Sequence, residues 1–566
     1  MTPSSPTSQK SPTAAPVESK WRQVARRVGL VLLGALILFA VAFAMLPVWI
    51  SNEQGRAYVL DRINRRLNGP RLAIDGWSIG WFRATDVRNL RIAGPDGAIL
   101  VSCPHVVSGL SLWGMVTGNY DLGSTTADAL ELTVTKNADG STSMDALAKN
   151  GAGIVRSVRG AIRINNAQVS LASAKSGQSL LLTGFQATVT IASSDAPFHV
   201  QVYGRAMPGW GAGASAPAAA GPEGEMSLNA TFPSIRALVD VGRDLTAGGG
   251  WLEAAGGAGG TILDDVDFAA SRVPSELACD FLGVDGGWAQ SFGRVLESVQ
   301  FSSHGNPTAV PPANHVSLLV RGAADGGGSA PVIDARVMLL PPEDEADGAA
   351  GGTITIPGGG GAGSDFHLEA ALRLSPPLMR TLARVNPLLG EAVPAAVAAR
   401  GIGGAGGTDI ITSGGEGGLL HIGFATLTVP VGAPDAAEAN FRVTFPPLAF
   451  APRADGPSLV RQFQVITGEL VPPAATRGAG RSMPAASRVE GSVGLLRAHL
   501  EEGQFSYENF LVQVGRSRLN FSGSVALDGN VDLLAVIPGS GTGLSVRSSQ
   551  VLVTGTVEMP VVQRAD

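Results

Sequence analysis

The sequence predicts a mainly β protein with a few short helices: an N-terminal transmembrane helix, then an extended antiparallel β-sheet folded into a groove or a sandwich. Three observations carry this. Val28 to Ile50 (VGLVLLGALILFAVAFAMLPVWI) is an uncharged run long enough to cross a ~30 Å hydrocarbon core, which takes about 20 helical residues. Downstream, short stretches of alternating apolar and polar residues recur between turn dipeptides. Gly 75 and Pro 36 of 566 residues, without a G-X-Y period, disfavour collagen and long helical bundles and suit many turns.

Residues 1–27, rich in Ser, Thr and Pro at their start, read as a disordered cytoplasmic tail. Residues 28–50 are the membrane helix. A cleaved signal peptide is the competing reading, with Ala42-Phe43-Ala44 as its cleavage site, but signal cores run only about 7 to 15 residues. Orientation rests on a tie: Lys20, Arg22, Arg26 and Arg27 precede the helix, and Arg56, Arg62, Arg65 and Arg66 follow it. The upstream charges abut the helix start and the long downstream part translocates regardless of its charge, which puts the N-terminus in the cytoplasm.

Residues 51–203 form an N-terminal β-region. Gln54 to Leu67 places Val59, Leu60, Ile63 and Leu67 on one helical face. Its basic residues Arg56, Arg62, Arg65 and Arg66 are candidates for contact with anionic headgroups, the alternative being a solvated charged face. Leu90 and Ile92, then Pro95-Asp96-Gly97, then Ile99 and Val101 read as a hairpin. Ser108 to Thr117 reads as a short helix, and strands follow at Ala129 to Thr135, Ala161 to Leu171, Leu180 to Ile191, His199 to Tyr203 and Glu225 to Phe232. In the central β-region, 204–484, helix starts are expected at Val273-Pro274-Ser275 and Leu374-Ser375-Pro376-Pro377. Glycine-rich inserts at 204–224, 248–260, 348–363 and 401–418 read as loops.

The C-terminal region, 485–566, carries the clearest pattern. Leu519, Phe521, Val525 and Leu527 share one parity, with Arg518, Asn520, Ser522 and Ser524 on the other. Asp528-Gly529-Asn530 then turns the chain into Val531 and Leu533, giving a β-meander. Leu519, Phe521, Val525, Leu527, Val531 and Leu533 are the candidate lipid-lining residues, the alternative being an ordinary core. At 15 to 20 residues per strand and loop, the chain holds roughly 25 to 30 strands, on the order of 100 to 150 Å of sheet.

No catalytic, metal or cofactor constellation is legible. Ser78 lies in a G-x-S-x-G match, but the sequence after it is strand-like where a nucleophile elbow needs a helix. The G-x-G-x-x-G at 401–406 lacks the strand before and the helix after that a dinucleotide site needs. The seven histidines form no ligand pair, and Cys103 and Cys279, far apart, read as buried free thiols or one long-range bridge. The acidic group at 343–347 reads as a solvated loop. A net charge of -6 argues against nucleic acid as a partner.

Two stretches carry a family resemblance. LDRINRRLNGPRLAIDGWSIGWFRATDVRNLRIAGPDGAIL, SLWGMVTGNYDLG and ADGSTSMDAL resemble the start of AsmA-like proteins of the Gram-negative envelope. FSYENFLVQVGRSRLNFSGSVALDGNVDLLAVIPG and VTGTVEMPVV resemble their C-terminal region. The family is similar in turn to TamB-type and bridge-like lipid transfer proteins, whose sheets form an apolar groove. The resemblance implies a single-pass inner-membrane protein with its bulk in the periplasm, non-catalytic, with membrane lipids as partners in phospholipid transport or outer-membrane biogenesis. The alternative is a membrane-tethered β-scaffold that binds an envelope protein.

Overall fold

The computed structural model describes residues 43–565 apart from 68, 119–120, 146–158, 194–195, 210–222, 235–264, 307–312, 325–328, 341–352, 357–365, 395–417, 431–432, 434–435, 453–456, 468–488 and 539–547. The expected tail and residues 28–42 of the expected membrane helix lie outside the described residues. Residues 43–51 are helical, and among the described residues no helix is long and apolar enough to cross a membrane.

Among the described residues, twenty-seven strands join one sheet. The first nine are β1 (Arg71–Ser78), β2 (Thr85–Ala93), β3 (Ile99–Ser108), β4 (Asp121–Asp128), β5 (Glu131–Lys136), β6 (Arg159–Ser173), β7 (Ser179–Ile191), β8 (Phe198–Gly209) and β9 (Gly224–Phe232). The middle seven are β10 (Asp265–Ala270), β11 (Val273–Pro274), β12 (Val295–Asn306), β13 (Ala313–Gly322), β14 (Val332–Leu340), β15 (Thr353–Ile356) and β16 (His367–Leu372). The rest are β17 (Ala392–Pro394), β18 (Leu420–Pro430), β19 (Glu438–Thr444), β20 (Leu448–Phe450), β21 (Val489–Val493), β22 (Leu496–Glu501), β23 (Gln504–Val514), β24 (Ser517–Ala526), β25 (Asn530–Ile537), β26 (Ser549–Thr556) and β27 (Pro560–Arg564). Among the described residues, besides the helical residues 43–51, these helices accompany them: α1 (Glu53–Asn64), α2 (Leu112–Thr117), α3 (Ser275–Leu282), α4 (Ala289–Phe292), α5 (Pro376–Val385) and α6 (Leu459–Ile466).

Strand order broadly follows chain order, with short strands sharing a partner: β4 and β5 on β3, β10 and β11 on β12, β15 and β16 on β14, and β21 and β22 on β23. β19 passes over to β22, and β17 joins through β20 and β21. About 20 positions at ~4.8 Å give on the order of 100 Å along the ladder. β8 runs through the anticipated boundary at 203/204, and the one at 484/485 lies outside the described residues. The expectation of a wholly antiparallel sheet is corrected at one place. β4 and β5 both pair parallel to β6, so that β6 starts at the end of the ladder where β4 began. Three boundaries shift as well. The expected helix from Ser108 starts only at Leu112, capped by Ser111 Oγ on the Gly114 N–H, while β3 continues to Ser108. The expected loop from Gly204 is strand to Gly209, and β15 forms inside the insert at 348–363, where Thr353–Ile356 is a β-branched run. The inserts at 248–260 and, up to 417, at 401–418 lie outside the described residues.

The hairpin turns behave as read, with Gly97 and Gly529 at φ +84° and +94°, which L side chains resist. Both central helices form: Ser375 Oγ accepts from the Leu378 N–H at the start of α5, and α3 begins after Pro274, with Ser275 donating instead to the Gly293 carbonyl. The inserts carrying them touch, through Ser291 Oγ to Ser375 Oγ at 2.6 Å and Arg380 to Asp285 at 3.2 Å.

Among the described residues two cores hold the sheet. In the larger, α5, the 3-10 turn Pro387–Glu391 and α6 lie against β22 to β26. Buried Glu391 fixes α6, its carboxylate accepting from Ser458 Oγ (2.7 Å) and the N–H groups of Leu459 (2.7 Å) and Val460 (3.2 Å) at a helix start that favours negative charge. The smaller core places Leu277 of α3 against Val169, Leu180, Leu182 and Ala206. Asp280 of α3 accepts from Ser173 Oγ at 2.5 Å beside Lys175 at 3.7 Å.

Candidate functional site

The expected lining residues lie in the larger core. Leu519, Phe521, Val525, Val531 and Leu533 are buried beneath α5 and α6, with Phe463 of α6 edge-on to Phe521 at 5.8 Å. Leu527 is half-buried at the turn. The meander's apolar face is therefore covered by the protein's own helices, the core alternative, and side chains rather than acyl chains satisfy it. Arg56, Arg62, Arg65 and Arg66 sit on or just after α1, with Arg56 half-buried, the others exposed, and Arg65 paired to Asp61 at 2.7 Å. The helix is pinned to β1 by Asn64, which donates to the Leu72 carbonyl and accepts from its N–H.

Register reveals an apolar surface elsewhere. Across the first strands, the partners Trp77, Val87, Val106, Ala127 and Ile164 lie side by side. The line continues through Ala187, Val202, Leu228, Phe268, Phe301 and Leu318. It then passes Ala335, Leu368, Phe424 and Phe441 and enters the larger core at Ala498 and Tyr507. Every position is apolar or aromatic across about 16 steps, on the order of 75 Å at ~4.8 Å each. From Trp77 to Phe424 the file belongs to neither core, and its large side chains, Trp77, Leu228, Phe268, Phe301, Leu318, Leu368 and Phe424, are only half-buried.

The neighbouring file is its complement. Thr126, Arg163, Thr188, Gln201, Asn229, Asp267, Ser302, Ser317, Arg336 and His367 follow partner to partner, all polar. Because successive side chains point to opposite faces, the sheet is apolar on one side and polar on the other for most of its width. The polar side carries a depression of about 1380 Å³, where Glu369, Arg442, Arg497, His499, Ser524 and Asp532 contribute. Arg442 crosses Gly423 to reach Glu369 at 3.6 Å, a path a side chain at 423 would obstruct.

Among the described residues no reactive group stands out. Ser78 ends β1 as an exposed residue opposite Asp86, with no strand-to-helix elbow. Cys103 and Cys279 are free and buried, and burial pushes both thiols up, Cys279 to about 11. Asp265, Asp267 and His304 meet across two strands, a grouping the sequence reading missed because 37 residues separate Asp267 from His304. His304 faces Asp265 through Nδ1 (3.0 Å) and Asp267 through Nε2 (3.3 Å), so each carboxylate of this exposed group lies against a ring nitrogen. The G-x-G-x-x-G at 401–406 and the acidic group at 343–347 lie outside the described residues.

No protein-family model and no curated protein matches the chain.

Proposed function

We propose that the protein is a non-catalytic, membrane-anchored β-sheet protein that shields the acyl chains of membrane lipids, in phospholipid transport or outer-membrane biogenesis. The observation that carries this reading is the half-buried apolar file from Trp77 to Phe424. An unbroken apolar line this long, with a polar line beside it, suits an elongated amphiphile better than a compact metabolite, and each CH₂ removed from water contributes about 0.8 kcal/mol. The file begins where the apolar helix ends, since Trp77 Nε1 donates to the Ile50 carbonyl at 2.8 Å. A lipid leaving the bilayer beside residues 28–50 would meet it first. The AsmA-like resemblance agrees with this assignment, and the proposal includes an inner-membrane location with 51–566 in the periplasm.

The test is to purify the full chain in mild detergent and measure phospholipid per chain by mass spectrometry, then extraction of labelled lipid from vesicles. A lipid-free protein that extracts nothing refutes the proposal. A phosphatase fused after Asp566 checks the topology: an inactive fusion would leave the sheet in the cytosol and exclude transport across the envelope. The second reading, a tethered scaffold, draws on β27, which pairs only with β26 among the described residues and offers its other edge for strand addition. A dominant protein crosslink at that edge, without lipid at the file, would favour it.

A further inference from the structure

The connection between β1 and β2, residues 79–84, and α2 form one knob that the shielding role does not use. The α2 start is tied to the connection, the Leu112 N–H donating to the Gly80 carbonyl (3.0 Å) and the Trp113 N–H to that of Trp81 (3.1 Å). Trp81 stacks on Phe43 with centroids 3.8 Å apart, and Trp113 sits edge-on to Trp81 at 6.4 Å and beside Phe82 at 6.2 Å. These residues project rather than fill a core: Phe82 is 81% exposed, Val116 60% and Trp113 46%. Arg83 flanks them, also exposed.

Where the preceding chain arrives identifies what covers the patch. The uncharged run ending at Ile50 passes through Phe43, which stacks on the knob, and Trp81 Nε1 donates to the Phe43 carbonyl at 3.0 Å. Ser51 Oγ accepts from the Ile79 N–H at 3.2 Å, a second tie between helix and knob. The knob is therefore fixed beside the last two turns of the apolar run. Along that stretch Met45, Val48 and Trp49 are exposed as well, and Tyr58 lies 6.1 Å from Trp49. Tryptophan and tyrosine beside arginine, at the end of an apolar run, is the composition that settles at the headgroup level of a bilayer.

We infer that Trp81, Phe82, Trp113 and Val116 form a collar seated in the headgroup–acyl boundary of the bilayer that holds residues 28–50. This rests on reading that run as a membrane helix. The collar fixes the sheet's approach to the membrane at a second point, and it holds Trp77, the first residue of the apolar file, at the bilayer surface. The partner is the lipid surface itself.

Phe82→Cys tests this without disturbing the fold, because the side chain is almost wholly exposed and the native Cys103 and Cys279 are buried. The full chain is labelled at the introduced thiol with the fluorophore NBD and reconstituted into vesicles of zwitterionic and anionic phospholipid. Asp528→Cys, in an exposed distal turn, is the reference. Blue-shifted emission and several-fold weaker iodide quenching at position 82 than at position 528 are expected. Equal quenching at the two sites, with the chain still retained on carbonate-washed vesicles, overturns the collar alone. Loss of the chain from the washed vesicles overturns the membrane helix and the collar with it. Shielding that vanishes as protein is diluted into excess lipid points to a second copy of the chain and also overturns the proposal. As a second readout, brominated lipid quenches wild-type tryptophan emission more than that of the Trp81→Phe/Trp113→Phe variant, and unchanged quenching would count against the collar.

Discussion

Placing two carboxylates in the middle of the apolar file separates a lipid-shielding surface from a merely structural one. Phe301 and Leu318 are cross-strand partners, half-buried, and outside both cores. Full truncation of a buried Phe costs about 3 to 5 kcal/mol, so half-buried positions that leave the new charge in contact with water should cost about 1 to 2 kcal/mol each. The effect on lipid is larger. Two charged positions spoil about three steps of the file, on the order of 15 Å. That stretch faces on the order of ten CH₂ groups, and one-sided shielding at half of 0.8 kcal/mol per CH₂ amounts to ~4 kcal/mol, roughly a thousand-fold in affinity. The Phe301→Asp/Leu318→Asp chain should keep its far-UV circular dichroism, lose a few kcal/mol in urea, and carry almost no phospholipid by mass spectrometry. A folded variant with the wild-type lipid load would refute the reasoning. So would a variant that unfolds outright, since the file would then be core.

Other outcomes follow from the same geometry. Phe521→Asp, at 1% exposure against Phe463, should fail to fold, because it combines a cavity with an unpaired buried charge; soluble, native-like protein would show that the helices do not seal this face. Glu391→Ala should cost about 2 to 4 kcal/mol by leaving the Ser458 hydroxyl and two α6 N–H groups without their acceptor, measurable as a lower urea midpoint, with a change under about 0.5 kcal/mol arguing against the cap. Cys279, pushed to about 11 chiefly by burial, is almost wholly protonated at pH 8, so a disulfide reagent should label neither thiol in the native protein and both in urea. An unfolded thiol ionises first, near 9, so this group's contribution to stability is intact below about pH 9 and declines as pH rises toward 11. A urea midpoint that is flat over that window would contradict the burial.

Short-range pattern was enough to define the local alphabet of this protein. Alternation at 510–537 defines three strands and their two faces, Asp96-Gly97 and Asp528-Gly529 define hairpin turns, and Ser375 before two prolines defines a helix start. Each signal lies within a dozen residues and is set by backbone sterics and local hydrogen bonds. What covers an apolar face is not local. Leu519 and Phe521 show the same alternation whether a helix, a second sheet or a lipid lies over them, and the choice fell to α5 and α6, about 140 and 60 residues upstream. The file was hidden for the same reason. Phe268, Phe301, Leu318, Leu368 and Phe424 are unremarkable within their own strands, and become a surface only when long-range pairing aligns them. A one-residue slip at any of those ladders would turn the following residues to the opposite face. Periodicity fixes which residues of a strand share a side, whereas register, a property of two distant segments, fixes which residues of the protein share a surface.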